Sequence, residues 1–221
     1  MLELEKEVHN CTICKKTDLH KFLPYPPVYS FGDLEGKEIV VVGQNPSSME
    51  YISGYLSNST DIEERRKSQL TYFERRKYPY FNEVERFLGG EVKGKIKWTS
   101  LPWEKVGYLD LVKCPTTPLT GSGQWSRIGN KQQKMLIRNC EGYLKEQLKL
   151  YKPKIILAYG ADVGRWFAKY LDVEYEPFED RKSELNDREV NLLFIPQRQG
   201  PHTKPEVLWV RNKIVKILTD K

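Results

Sequence analysis

Residues 38–47 read EIVVVGQNPS. A glutamate opens a run of apolar, mostly β-branched residues, and Gly43 closes it. Such a run, short and without polar alternation, suits a strand buried on both faces, as strands of a parallel sheet are. The sequence then sets two amides, a proline and a serine in a row: Gln44, Asn45, Pro46 and Ser47. Alone, that is turn punctuation.

Three further segments share the form: Val106–Val112 (VGYLDLV), Lys154–Gly160 (KIILAYG) and Val190–Pro196 (VNLLFIP). Helical patterns lie between and after them. Asp61–Arg76 offers Ile62, Leu70 and Phe73 as buried contacts, and its run Glu63-Glu64-Arg65-Arg66-Lys67 reads as a solvated face. Phe81–Leu88 is short and amphipathic. Lys131–Tyr151 places Met135, Leu136, Cys140, Tyr143, Leu144, Leu148 and Leu150 near helical spacing. Ala161–Tyr170 and Pro205–Leu218 follow the last two strands. This alternation predicts an α/β fold: a three-layer, doubly wound sheet of about four parallel strands with helices on both faces, in one domain over residues 1–221.

Open α/β sheets form sites at the carboxyl ends of their strands. Here those ends carry Gln44-Asn45-Pro46, Lys113-Cys114, Gly160-Ala161 and the segment Gln197–His202. Special residues thus gather on one rim, which lifts GQNPS above a plain turn. Residues 115–130 form a polar stretch too long for a simple connector, and it carries Trp125 and Arg127.

The chain has 221 residues, 39% hydrophobic and 30% charged, with a net charge of +6. That is a globular composition leaning towards an anionic partner such as nucleic acid. The N-terminus, MLELEKEVHN, lacks a signal-peptide core, and no run of about 18 apolar residues occurs. A cytoplasmic protein is expected, nuclear if the source is eukaryotic, with no membrane partner. Thiols there stay reduced unless a metal holds them.

The four cysteines are Cys11 and Cys14 in a CxxC pair, Cys114 after the second strand, and Cys140 in the following helix. One short turn can present two thiolates to a metal, and four thiolates suit either zinc or an iron–sulfur cluster. Buried structural cysteine is the plain alternative. A redox CxxC fits less well, because no strand precedes it.

In this order the motifs resemble the uracil-DNA glycosylase superfamily, most closely its iron–sulfur branch, family four. The resemblance runs over roughly residues 9 to 215. It rests on Cys11-x2-Cys14, on Gly43-Gln44-Asn45-Pro46-Ser47 after a strand, on the aromatic segment YPYFNEVERFL (78–88), on GYLDLVKCPTTP (107–118), on Cys140, on KPKIILAYGADV (152–163), and on His202 after the last strand. It implies a DNA glycosylase, a monomer, that flips a deaminated base, uracil foremost, out of single- or double-stranded DNA and hydrolyses its N-glycosidic bond. It further implies a [4Fe–4S] cluster on Cys11, Cys14, Cys114 and Cys140, with zinc as the alternative.

By the same resemblance, Asn45 positions the attacking water and His202 donates to the base oxygen as charge develops. Gln44, Tyr80, Phe81 and Asp110 contact the base. Ser47, Arg127, Arg198 and Lys204 contact the DNA backbone. An amide orients water but cannot take its proton, so slower turnover is expected than where aspartate stands at Asn45. The family places glutamate and alanine where this chain has Gln44 and Asn45, and asparagine where it has Asp110. An ionised carboxylate only accepts hydrogen bonds, which weakens the match to uracil and opens the site to hypoxanthine or another base. Two competing readings follow: a nucleic-acid-binding protein that kept the fold without the chemistry, and a zinc-stabilised α/β protein of unrelated function.

Overall fold

The computed structural model describes residues 2–75, 86–87, 105–116, 128–197 and 203–219. Among the described residues, five strands form one sheet: β1 (Ile39–Gly43), β2 (Val106–Asp110), β3 (Ile155–Tyr159), β4 (Asp180–Glu184) and β5 (Glu189–Ile195). Their order is β2-β1-β3-β5-β4. β1 and β3 pair in parallel with Val41 opposite Leu157, and β3 and β5 in parallel with Leu157 opposite Leu193. Every residue of β1, β2 and β3 is buried. That is why their sequences read as continuous apolar runs rather than alternating ones.

The four expected strands are all present, and the fold is α/β. The fifth, β4 (DRKSE), was not expected. It runs antiparallel to β5 at the sheet edge, and the two form a hairpin. Asn186 and Asp187 at its tip have φ of 54° and 62°, the left-handed pair that a tight hairpin turn requires. An edge strand needs no apolar run, and charged side chains protect its open side.

The α-helices among the described residues include α1 (Glu3–His9), α2 (Ser48–Ile52), α3 (Ile62–Arg75), α4 (Asn130–Tyr151), α5 (Ala161–Tyr170) and α6 (Lys204–Thr219). The expected spans of α3 to α6 match within a residue or so at each end. Most of the expected Phe81–Leu88 helix lies outside the described residues. α4 buries Leu136, Cys140, Leu144 and Leu148 as its spacing predicts, and Gln147 as well, while Met135 and Leu150 are exposed. Gly160 is the N-cap of α5, and its φ of 103° lets the chain leave β3 and turn straight into the helix. Gly164 on α5 faces the Tyr175 ring so closely that a Cβ there would lie 2.3 Å from a ring carbon.

One expectation is overturned. The charge run on α3 is not wholly solvated: Arg65 is buried, as are Gln69 and Tyr72. Arg65 donates to the His9 carbonyl at the end of α1 (3.1 Å), and Arg66 Nε meets Glu5 Oε1 at 2.5 Å. The missing partner was the N-terminal helix, which the sequence places more than fifty residues away.

The chain divides into two compact units. One comprises residues 1–33, 43–75 and 108–150, the other residues 34–42, 76–107 and 151–221. The first contains α1, α2, α3, most of α4, all four cysteines and the GQNPS loop. The second contains β3, β4, β5, α5 and α6.

Candidate active site and cysteine centre

The loop after β1 and the segment after β2 are laced together. Leu111 N–H donates to the Gly43 carbonyl (2.9 Å) and Val112 N–H to the Gln44 carbonyl (2.9 Å). Further along, Ser47 and Thr116 form an isolated parallel bridge. Asn45 sits inside this lacing, partly open. Its Nδ2 donates to the Pro46 carbonyl (2.9 Å) and to Thr116 Oγ1 (3.2 Å). The Pro46 carbonyl can only accept, so this orientation of the amide is fixed. With both N–H donors committed, Oδ1 is the atom left to accept a hydrogen bond from a water.

Ser47 caps α2. Its Oγ accepts from Met49 N–H (3.2 Å), and Glu50 Oε2 accepts from Ser47 N–H (3.2 Å), a reciprocal capping box. The hydroxyl expected at DNA is thus already engaged in holding the loop. Tyr51, two-thirds along α2, donates to the Pro26 carbonyl (3.0 Å) and stacks on Tyr25 at 4.7 Å.

Glu50 and Asp110 are both buried carboxyls, 3% and 8% exposed. Burial, and then the negative field of Asp110, push Glu50 well above the usual carboxylate range. Burial pushes Asp110 up as well, opposed in part by the Lys113 ammonium. Lys113 is itself 1% exposed, and its Nζ donates to the Asp110 main-chain carbonyl (2.6 Å). Burial pushes that ammonium's pKa down.

The four cysteines, all free thiols, line one cavity, with Lys113, Asn139 and Tyr143 among its other walls. They arrive from three places. The turn after α1 brings Cys11 and Cys14, the segment after β2 brings Cys114, and α4 brings Cys140. Asn139 Nδ2 donates to Cys14 Sγ (3.3 Å), and Lys113 N–H to Cys140 Sγ (3.5 Å). Leu19, Leu23, Val112, Ile128 and Leu136 pack with the three buried cysteines. In that apolar setting burial holds the Cys14, Cys114 and Cys140 thiols above their ordinary values, Cys140 at about 12. Among the described residues no group of three or more Cys, His, Asp or Glu is gathered tightly enough to hold a metal ion as it stands.

A family model described as the uracil-DNA glycosylase superfamily matches residues 29–203, most of the chain. The chain belongs to the uracil-DNA glycosylase superfamily. A search of curated proteins returns no match. Membership supports a glycosylase-like function acting on DNA, and among the described residues no helix is long and apolar enough to cross a membrane.

Of the residues that the superfamily resemblance marks, the structure brings Gln44, Asn45, Ser47, Asp110 and the four cysteines into one unit. Lys204 is exposed at the start of α6 in the other unit, next to Thr203, whose N–H and Oγ1 both donate to Glu206 Oε2 (2.7 and 2.8 Å). Tyr80, Phe81, Arg127, Arg198 and His202 lie outside the described residues. Thr116 and Glu50 were missed, and Lys113 was read only as one of the residues on the rim. For Glu50 a signal was present: Ser47-x-x-Glu50 is a capping-box pattern. Thr116 had none, because its role exists only through Asn45, 71 positions away.

Proposed function

We propose that this protein releases a deaminated base, uracil foremost, from DNA by hydrolysing the N-glycosidic bond. Asn45 Oδ1 holds the attacking water in line with the sugar carbon, and its value lies in orientation rather than in proton removal. The observation that carries this reading is the doubly anchored Asn45 amide, held by Pro46 and Thr116 at the end of a buried strand. Family membership supplies the reaction class. In this reading His202 donates to the base oxygen, Tyr80 or Phe81 stacks on the base, and Arg127, Arg198 and Lys204 meet phosphates.

Cys11, Cys14, Cys114 and Cys140 hold a [4Fe–4S] cluster in this proposal. The fit rests on four thiols around one cavity with N–H donors aimed at two of the sulfurs, the kind of environment that tunes such clusters. A lone zinc would instead draw four sulfurs to roughly 3.8 Å from one another, given Zn–S bonds of about 2.3 Å. The cluster would supply cross-linking of three chain segments. Buried thiols that resist ionisation would release protons as they ligate.

Oligonucleotides carrying uracil, hypoxanthine or xanthine, single- and double-stranded, test the reaction. The protein is purified without oxygen and the products are cleaved with alkali. Release that collapses in Asn45→Ala supports the assignment, and release unchanged by it overturns the role of Asn45. Iron and sulfide content, against zinc content, decides the metal. A second reading is a DNA-binding protein without the chemistry. It is favoured by the buried acid Asp110, and tight binding with no base release would establish it.

A further inference from the structure

Two distant stretches of chain meet beside the thiol cavity. One holds the 3-10 turns Cys14–Lys16 and Asp18–Phe22, and the other holds the first half of α4. Leu19 and Leu23 of the first pack with Ile128 and Leu136 of the second, and Phe22 and Ile137 pack against the same cluster. Asn139 Nδ2 ties the two by its bond to Cys14 Sγ (3.3 Å). This packing brings Lys15, Lys16 and Lys21 into one region with Lys131, Lys134 and Arg138, and all six are exposed. Residues 14–23 and 128–140 together hold a single acid, Asp18. Six cations against one acid make five of the chain's six net positive charges, so the rest of the chain is close to neutral.

Local stability does not account for these cations. The first turn of a helix favours acids, yet α4 has none there, and its Glu141 and Glu146 come only in the second half. Lys131 and Lys134 stand three residues apart, and Lys134 and Arg138 four, so they are like-charge neighbours on one helix face. Among the described residues Lys15, Lys16, Lys131, Lys134 and Arg138 join no ion pair. Uncompensated like charges oppose folding, and a polyanion laid across them relieves the repulsion. We propose that this surface holds the phosphate backbone of DNA flanking the released base, a contact region separate from Asn45 and its loop. It takes its partner from the base-release reading above and adds a second contact to it. The run from Lys131 to Arg138 spans about 10 Å of helix, the length of about three base steps. Phosphate contacts position DNA without reading its bases, so damaged and undamaged DNA should bind here alike.

The experiment is equilibrium binding of an undamaged duplex of about 30 base pairs, by fluorescence anisotropy from about 50 to about 200 mM salt. One variant combines Lys131→Gln, Lys134→Gln and Arg138→Gln. A second, Lys16→Gln with Lys21→Gln, tests the other stretch independently. The control combines Lys169→Gln, Arg188→Gln and Lys216→Gln, which removes as much charge as the first variant from exposed positions in the other unit. Losing three phosphate contacts lowers the salt slope by up to about 2.7 and weakens binding about tenfold or more at low salt. The control should stay within about threefold of the wild type. Single-turnover uracil release from saturating DNA should be unchanged in the α4 variant, because Asn45 and its anchors are untouched. Wild-type affinity and slope in both patch variants overturn the proposal. An equal loss in the control also overturns it, because net charge would then be the cause. Patch-dependent binding with no release of any base overturns the base-release reading and leaves this surface standing.

Discussion

Thr116→Val isolates what anchoring is worth to the proposed water-holding amide. Thr116 is 3% exposed, and valine keeps its shape and β-branching while deleting Oγ1. Asn45 then loses the 3.2 Å bond from Nδ2 and keeps only the 2.9 Å bond to the Pro46 carbonyl. A neutral hydrogen bond of this kind contributes about 1 kcal/mol net. One anchor leaves the amide free to rotate about the remaining bond, so the loss should appear in orientation of the water. A drop of about fivefold in kcat follows from about 1 kcal/mol, with KM little changed. Asn45→Ala removes the water-holding atom and should cost about a hundredfold. The double variant decides the matter. If Thr116 acts through Asn45, Thr116→Val adds nothing on top of Asn45→Ala, within about twofold. Single-turnover base release by all four proteins, with urea melts to confirm folding, gives the cycle. A full additional fivefold loss in the double variant would falsify the link between the two residues.

Other outcomes follow from the same structure. Cys140→Ala should strip most of the iron and sulfide, read by elemental analysis, and lower the urea midpoint beyond the 1–2 kcal/mol or so of a simple core truncation; a variant with full metal content would show that Cys140 is only a packed thiol. Glu5→Gln leaves Arg66 without its carboxylate partner. The remaining contacts of Arg66 to Ser30 Oγ (3.1 Å) and Gly32 O (3.4 Å) soften the loss to about 2 kcal/mol in equilibrium unfolding, below the range for a fully buried pair. Pairing Glu5→Leu with Arg66→Met should recover much of that. Gly164→Ala drives a methyl into the Tyr175 ring and should cost about 1–3 kcal/mol, seen as a lower melting temperature with base release unchanged below it.

The sheet was legible because its central strands are buried on both faces, and burial on both faces writes itself as an unbroken apolar run. β4 was not, because an edge strand is held by hydrogen bonds to one neighbour and writes only its turn, Asn186-Asp187. Helix spans were legible from spacing, yet Arg65 and Gln147 show where spacing fails. Both are polar residues on buried faces, made acceptable by carbonyls that belong to distant segments: His9 for Arg65, and Tyr29 for Gln147 at 2.8 Å. The same holds for the site. Asn45 and the cysteines announce themselves by residue type and position. Thr116, Lys113 and the Glu50–Asp110 opposition are made by the fold, and a linear reading gives each a bland role.

Residues 110–116 carry four duties at fixed offsets. Asp110 closes a strand, Lys113 feeds it a donor, Cys114 lines the thiol cavity and Thr116 steadies Asn45. Each offset is measured against the same ladder to residues 43–47. Inserting or deleting one residue would shift the duties downstream of it at once, so this stretch should tolerate replacement far better than any change of length. Divergence among descendants of this gene should then accumulate as substitutions at Leu111, Val112 and Pro115, and gaps in their alignments should fall outside the seven positions.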